Sequence, residues 1–113
     1  MDRDRLDAAR DLLVAERARL DADLADGIVA PGPMTYGSQA AAASQVFEQQ
    51  RDLALREKNA QHLADVVAAL RRIADGTYGA CVRCGAAIAA ERLEALPWAA
   101  YCIECQRLVG RAR

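Results

Sequence analysis

Two short motifs in the carboxyl-terminal third of the chain each hold a pair of cysteines separated by two residues. Cys81 and Cys84 form the first pair, Cys102 and Cys105 form the second, and seventeen residues lie between the pairs. A Cys-x-x-Cys turn can direct both thiolates toward one centre, and two such turns supply the four soft ligands of a closed tetrahedral Zn²⁺ site. Gly85, directly after the first pair, has the backbone freedom that such a turn needs. The spacing therefore predicts that these four cysteines bind Zn²⁺.

Three other uses of four cysteines stay open at this point: two structural disulfides, a thioredoxin-like redox pair, or the ligands of an iron–sulfur cluster. Zinc is favoured because a single site accounts for all four cysteines, whereas the sequence shows neither a secretory signal pattern nor the βαβ context of a redox pair. A zinc ion with four cysteine ligands has no open position for a reacting water. We therefore expect a structural site and a protein that is not an enzyme, since no nucleophile–base pair or phosphate-binding loop is recognisable either.

The overall composition is that of a protein of one domain. The chain has 113 residues, with 15 basic and 16 acidic side chains and a formal net charge of −1. A charge this close to zero argues against a protein whose main affinity is for phosphate backbones, so we expect no direct DNA binding. No apolar run approaches the roughly 20 residues of a membrane span. We therefore expect a cytoplasmic protein without membrane contact.

Two long segments upstream of the cysteines have the seven-residue apolar spacing of coiled-coil helices. The first runs from about residue 4 to residue 26, and the second from about residues 40–44 to residue 74. Between them, Pro31-Gly32-Pro33 cannot continue a helix, because proline lacks the N–H group and clashes with the preceding turn. The predicted seam of the first helix is Leu6, Ala9, Leu13, Leu20 and Leu24, and that of the second is Val46, Leu53, Ala60 and Val67, widened by Leu63, Val66, Leu70 and Ile73.

These two helices should fold back on each other as an antiparallel coiled-coil hairpin, because neither can bury its apolar stripe alone. We predict a mainly α fold in which residues 1-76 form the hairpin, with a tip loop near residues 27-39. Residues 77-113 would form the four-cysteine zinc finger, and residues 106–111 within them a short C-terminal helix. Trp98 is expected to cover the zinc loops, and the single histidine, His62, to be a packed or solvated side chain.

A dense set of residues around the cysteines carries a family resemblance. The matching positions are Tyr78, Gly79, Ala80, Cys81, Cys84, Gly85, Ile88, Arg92, Leu93, Glu94, Ala95, Leu96, Pro97, Trp98, Cys102, Ile103, Cys105 and Gln106. This run resembles the zinc finger of the DksA/TraR family over about a quarter of the chain. Val82 departs from it, because the family usually carries an acidic residue or serine there. The resemblance implies a coiled-coil hairpin before the finger and a short helix after it.

The resemblance also implies a function, that of a zinc-binding transcription regulator that binds RNA polymerase. Such proteins pass the hairpin into the secondary channel of the polymerase and act through acidic residues at its tip, often with guanosine tetraphosphate as effector. Counted back from Cys81, the two acidic tip positions fall on Ser38 and Ala41, and the alanine of the tip motif falls on Ala43. No acidic residue occurs between positions 27 and 46. The family's acidic tip chemistry therefore does not carry over.

The predicted tip is apolar for an exposed loop, since Met34 and Tyr36 lie in it. Apolar surface at a protruding tip is a candidate contact site, although these side chains could also pack onto the ends of the helices. The candidate partner-binding residues are Met34, Tyr36, Ser38, Ala41 and Ala43. A second function also stays open, in which the chain is a zinc-stapled coiled-coil scaffold that binds another protein or a second copy of itself.

Overall fold

The structure of the chain is a computed structural model that describes residues 2–26 and 39–112, with side chains for 2–26 and 42–110. Its helices are α1 (Arg3–Ala25), α2 (Gln39–Asp75), α3 (Ala90–Ala95) and α4 (Ile103–Ala112). α1 and α2 pack against each other as a hairpin, and the molecule is elongated, with extents of 61 × 29 × 20 Å. Within the described residues there is no β-strand, only an isolated antiparallel bridge between Ala80 and Ala87. The predicted mainly α fold is confirmed.

Local sequence signals fix two of the helix ends. The carboxylate of Asp2, the residue before α1, accepts a hydrogen bond of 3.0 Å from the backbone N–H of Asp4 and so caps the helix. At the end of α2, Gly76 has a φ of 78°, a left-handed conformation that glycine adopts at little cost. The N–H groups of Gly76 and Thr77 then donate back to the carbonyls of Ile73 and Arg72. This Schellman pattern ends α2 and turns the chain into the finger.

The apolar seam of α1 lies against the half of α2 that is nearer the finger. Leu13 and Leu20 of α1 and Val66 of α2 are fully buried, and Ala9 and Ala69 are buried beside them. Leu63, Leu70 and Ile73, which were predicted to widen the seam, are partly buried and pack against the buried core. The packed stripe stabilises the hairpin, because helices of this kind derive most of their stability from tertiary burial.

The predicted seam of α2 is wrong in its first half. Val46 and Leu53 are 45% and 52% exposed, and Ala60 is exposed as well. The partly buried positions there are instead polar or small, namely Ala42, Gln45, Gln49, Arg56 and Asn59. These positions continue the spacing of Leu63, Val66, Leu70 and Ile73 and lie beside the predicted stripe on the helix surface. The Arg56 guanidinium is held on this side, since it donates a hydrogen bond of 2.7 Å to the carbonyl of Leu24.

One finding on the helices concerns membranes. None of the helices in the described part of the chain is both long enough and apolar enough to cross a lipid bilayer.

Candidate metal centre

The four cysteine thiols predicted from the motifs lie together in the finger. The Sγ atoms of Cys81, Cys84, Cys102 and Cys105 are all within 4.8 Å of one another, and those of Cys84 and Cys102 are 3.8 Å apart. With Zn–S bonds of about 2.3 Å, the edge of a sulfur tetrahedron is about 3.8 Å long. The Cys84–Cys102 pair is thus at the separation that a four-coordinate zinc ion requires, and all four thiols are close enough to share one ion. In the described residues they are the one group of His, Cys, Asp or Glu side chains so placed.

The first cysteine pair is held by its own turn. The N–H of Cys81 donates to the carbonyl of Ala86 at 2.8 Å, and the N–H of Gly85 donates back to the carbonyl of Cys81 at 2.9 Å. Gly85 has a φ of 78°, which a residue with a side chain adopts only with strain. The glycine after the first pair therefore has the role that its position predicted.

The second cysteine pair lies at the start of α4. Cys102 immediately precedes the helix, and its sulfur accepts a hydrogen bond of 3.5 Å from the backbone N–H of Cys105 in the first turn. The first turn of α4 thus presents a backbone donor to the sulfur of Cys102. α4 begins at Ile103, three residues before the start that was predicted, because Cys105 of the second pair lies within its first turn.

The surroundings of the sulfurs differ in exposure and charge. Cys81 and Cys105 are buried, whereas Cys84 is exposed. Burial opposes ionisation of Cys81, but hydrogen bonds from neighbouring backbone groups outweigh it and lower the pKa of Cys81 to about 6. The Arg83 guanidinium donates to the sulfur of Cys105 at 3.5 Å, and this bond raises the pKa of Arg83. A cation held beside the sulfurs suits a thiolate-ligated metal, because it offsets part of the negative charge of the ligands.

Two polar side chains hold the segment around Trp98, Tyr78 from within the finger and Arg72 from the hairpin. The hydroxyl of Tyr78 is buried and donates to the carbonyl of Pro97 at 2.8 Å, and burial raises the pKa of this phenol. The Arg72 guanidinium of α2 lies 3.5 Å from the carbonyls of Trp98 and Ala99. Neither Tyr78 nor Arg72 was singled out as a junction residue from the sequence. The signal that was available is their position, Arg72 in the last turn of α2 and Tyr78 between α2 and the first cysteine pair.

Trp98 was predicted to cover the zinc loops, and the structure gives it a different contact. Its ring lies against the imidazole of His62 on α2, with 4.4 Å between ring centroids and 85° between ring planes. The tryptophan therefore connects the finger to the hairpin. His62 is packed rather than solvated, since its side chain is 25% exposed.

The finger and the whole fold both resemble those of known proteins. The family described as prokaryotic dksA/traR C4-type zinc finger matches residues 76–109. The structure of the transcription factor DksA2 from Pseudomonas aeruginosa superimposes with a TM-score of 0.77 at 30% identity, covering 99% of this chain and 88% of that chain. The chain belongs to the DksA/TraR family. The family match and the cluster of four thiols together confirm the predicted zinc finger.

Two curated relatives show how far the similarity of this DksA/TraR protein extends. Protein YteA of Bacillus subtilis is 44% identical over 57 residues, which are 50% of this chain and 24% of YteA. The RNA polymerase-binding transcription factor DksA of Haemophilus influenzae is 29% identical over 103 residues, which are 91% of this chain and 68% of that protein. The chain thus spans only about a quarter of YteA, whereas its match to the Haemophilus protein includes the hairpin.

Two of the five candidate tip residues of this DksA/TraR protein lie in the described part of the chain. Met34, Tyr36 and Ser38 lie outside the described residues. Ala41 belongs to the first turn of α2, and Ala43 is exposed on the same helix. Both lie at the opposite end of α2 from Asp75 and the finger.

We expect Tyr78→Phe to destabilise this DksA/TraR protein by about 1–3 kcal/mol, because it leaves the buried carbonyl of Pro97 without its donor. Urea unfolding of the zinc-loaded protein measures the difference. Tyr101→Phe is the matched control, since the Tyr101 hydroxyl makes no hydrogen bond among the described residues and Tyr101 is only partly buried. A control that loses as much stability as Tyr78→Phe would contradict the assigned role.

Proposed function

We propose that this DksA/TraR protein is a transcription regulator that binds RNA polymerase through the secondary channel of that enzyme, with Cys81, Cys84, Cys102 and Cys105 as its zinc ligands. The observation that carries the proposal is the combination of a long hairpin and a four-thiol finger in one chain, superimposable with DksA2 over nearly its whole length. The Haemophilus relative, named an RNA polymerase-binding factor, supports the choice of partner.

The shape of the molecule supports entry into a channel. α2 has 37 residues, so at about 1.5 Å per residue it is some 55 Å long. The long dimension of the molecule, 61 Å, is twice the next one, 29 Å. In this proposal the finger docks on the outside of the enzyme and the hairpin enters the channel. Bound zinc supplies no reaction chemistry with four thiolates around it, and it holds the two cysteine turns together.

The tip of the hairpin has no carboxylate to offer a metal ion or a basic residue inside the channel, because positions 27–46 contain no acidic residue. We infer that the tip acts by its shape or by apolar contacts from residues such as Met34 and Tyr36, or that the protein competes with a relative that has an acidic tip. Guanosine tetraphosphate is a candidate effector that the same binding experiments can include.

Binding to RNA polymerase is the first test. Zinc-loaded protein is passed over immobilised core enzyme and holoenzyme from the same source, and we expect retention on both. Cys84→Ser is the variant with a disrupted finger and should lose retention, whereas Val82→Ser changes an exposed side chain of the same turn and should keep it. If neither the wild type nor Val82→Ser is retained, polymerase is not the partner.

Entry of the hairpin into the secondary channel is tested by substitutions and crosslinks near the predicted tip. The double substitution Ser38→Asp and Ala41→Asp restores carboxylates at the two acidic positions of the family motif, and we expect it to change transcription in vitro by the polymerase that the protein binds. A crosslinker at position 43, an exposed position of α2, should reach residues of the secondary channel. Unchanged transcription, together with crosslinks confined to the outer surface of the enzyme, would contradict entry into the channel. It would not contradict binding to the polymerase.

A scaffold function is the second candidate, and one observation favours it. Val46, Phe47 and Leu53 of α2 are 45%, 70% and 52% exposed, which gives the hairpin apolar surface away from its packed seam. Exposed apolar side chains grouped on one segment are typical of protein contact sites. Stable self-association that is lost in Phe47→Ala, in the absence of polymerase binding, would favour this function.

A further inference from the structure

Two hydrogen bonds connect the first cysteine turn to the second in addition to the cluster of sulfur atoms. The N–H of Val82 donates to the carbonyl of Ala100, just before the second cysteine pair, at 2.9 Å. The side chain of the next residue, Arg83, extends further, and its Nη1 atom donates to the Sγ atom of Cys105 at 3.5 Å. Arg83 thus lies between the two cysteines of the first pair in the sequence and contacts a cysteine of the second pair in space.

The metal centre places negative charges close together. Four thiolates around one Zn²⁺ ion leave two negative charges in excess, and all four ligands have to be thiolates when the metal is bound. Glu104 adds a carboxylate in the first turn of α4, next to Cys105 in the sequence. Because like charges at short distance oppose ionisation of one another, a neighbouring cation stabilises the metal-bound state of the ligands.

The Arg83 guanidinium can supply that cation. An arginine keeps its charge at neutral pH, and its hydrogen bond to an ionised acceptor is roughly twice as strong as a bond between neutral groups. Arg92 is held elsewhere, since its Nε atom donates to the carbonyl of Tyr101 at 3.2 Å. Arg107 is exposed on α4, and none of the contacts in the described part of the finger joins its side chain to a sulfur.

We propose that Arg83 is a positioning residue of the zinc site, whose guanidinium bridges the two cysteine turns and raises the affinity of the four thiolates for Zn²⁺. The inference rests on the zinc ligands of the proposed function and goes beyond them, because Arg83 is not itself a ligand. It acts through Cys105, whose sulfur it holds toward the first turn and whose charge it offsets. Binding to polymerase is not required for this role.

The size of the effect follows from the position of Arg83 at the surface. Loss of an outer partner of a metal ligand typically lowers metal affinity about 10–100-fold. Arg83 is exposed, so water screens its charge in part, and we expect the lower end of that range. Arg83→Gln keeps an N–H donor without the charge and should bind zinc about 10-fold more weakly. Arg83→Lys keeps the charge without the planar fork and should lose less.

Competition with a chromophoric chelator measures the dissociation constant for Zn²⁺ of the isolated full chain. Arg107→Gln is the matched control, because it removes the same charge from an exposed residue two positions after Cys105. We expect its affinity to stay within about 2-fold of the wild type. Wild-type affinity in Arg83→Gln, or an equal loss in Arg107→Gln, would overturn the proposal. Circular dichroism at the helix band checks that each variant keeps its helices.

Salt separates the charge of Arg83 from a purely structural role. The ratio of the dissociation constants of Arg83→Gln and the wild type is measured at about 0.1 M and 1 M salt, where the Debye length is about 10 Å and 3 Å. Both proteins share one buffer, so that effects of salt on zinc itself cancel. We expect the ratio to fall at high salt, and a constant ratio would contradict the role of the charge.

The same experiment keeps the two inferences apart. A wild-type chain that takes up no zinc would contradict the proposed ligand set and the role of Arg83 together. A wild-type chain that binds zinc no more tightly than Arg83→Gln would contradict only the role of Arg83, and the four cysteines would remain the ligands.

Discussion

The variant Cys105→Ser is expected to bind no zinc and to lose the fold of the finger. Cys105 is buried in the cluster of four thiols, and a serine hydroxyl is neither a soft ligand nor an anion at neutral pH. Zinc binding by structural sites of this kind contributes about 10–16 kcal/mol in peptides, and this free energy is folding free energy because the site does not exist in the unfolded chain. Removal of one ligand therefore removes much of this stabilising free energy.

The zinc-to-protein ratio of the purified variant and hydrogen exchange across residues 78–109 measure this result. We expect the ratio to fall from near one to near zero, and protection to disappear in the finger while it persists around Leu13 and Val66 in the hairpin seam. Val82→Ser is the matched control, because it places the same hydroxyl in a cysteine turn at a residue that is 53% exposed. A Cys105→Ser protein with wild-type zinc content would exclude the proposed ligand set.

The second large effect is expected in the hairpin, where Leu13→Ala should cost about 2–5 kcal/mol of the free energy of unfolding. Leu13 is 0% exposed and packs in one cluster with Ala9, Leu20 and Val66, so its truncation leaves a cavity as well as losing buried surface. Small domains have only about 5–15 kcal/mol of stability in total. The variant should therefore unfold at a clearly lower urea concentration.

The neighbouring leucine provides the control for this experiment. Leu12 is 55% exposed, and Leu12→Ala removes the same atoms from the same helix without opening a cavity in the seam. We expect its effect to stay within about 0.5 kcal/mol. Urea unfolding followed by circular dichroism at the helix band measures both variants. Equal losses for Leu12→Ala and Leu13→Ala would show that the seam of α1 faces another direction.

The metal site could be predicted from the sequence because its information is local. Each pair of ligands is fixed by a turn of a few residues, and Gly85 marks that turn. Four cysteines of one spacing also have few alternatives that use them all. The helical hairpin was predictable for a similar reason, since the seven-residue repeat of Leu6, Leu13 and Leu20 recurs over more than two turns.

The face that α2 turns toward α1 could not be predicted with the same success. Val46, Leu53 and Ala60 repeat at sevens, and so do Gln45, Asp52 and Asn59 one residue before them, so the period alone does not choose the stripe. Hydrophobicity favoured the first set, whereas partial burial falls on Gln45 and Asn59 of the second. Packing decided the choice, because Leu63, Val66 and Leu70 fix the rotation of the same helix near the finger.

The contacts between the hairpin and the finger were beyond sequence reasoning, since they join residues far apart in the chain. His62 and Trp98 are separated by 36 positions, and Arg72 and the Trp98 carbonyl by 26. In the sequence alone, each of these residues is equally compatible with an ordinary place on the surface of a helix or loop. Only the three-dimensional arrangement shows that Trp98 contacts His62 of α2.

α2 leaves the finger as a single uninterrupted helix, and its length turns it into a lever arm. From Arg72, beside the finger, to Gln39 the helix covers some 50 Å, so a rotation of about 1° at its base displaces the far end by nearly 1 Å. The angular tolerance of the junction thus determines how accurately the far end can be placed. The contacts of Arg72 with the carbonyls of Trp98 and Ala99 lie at that junction, and a substitution there can misplace a surface that it never touches.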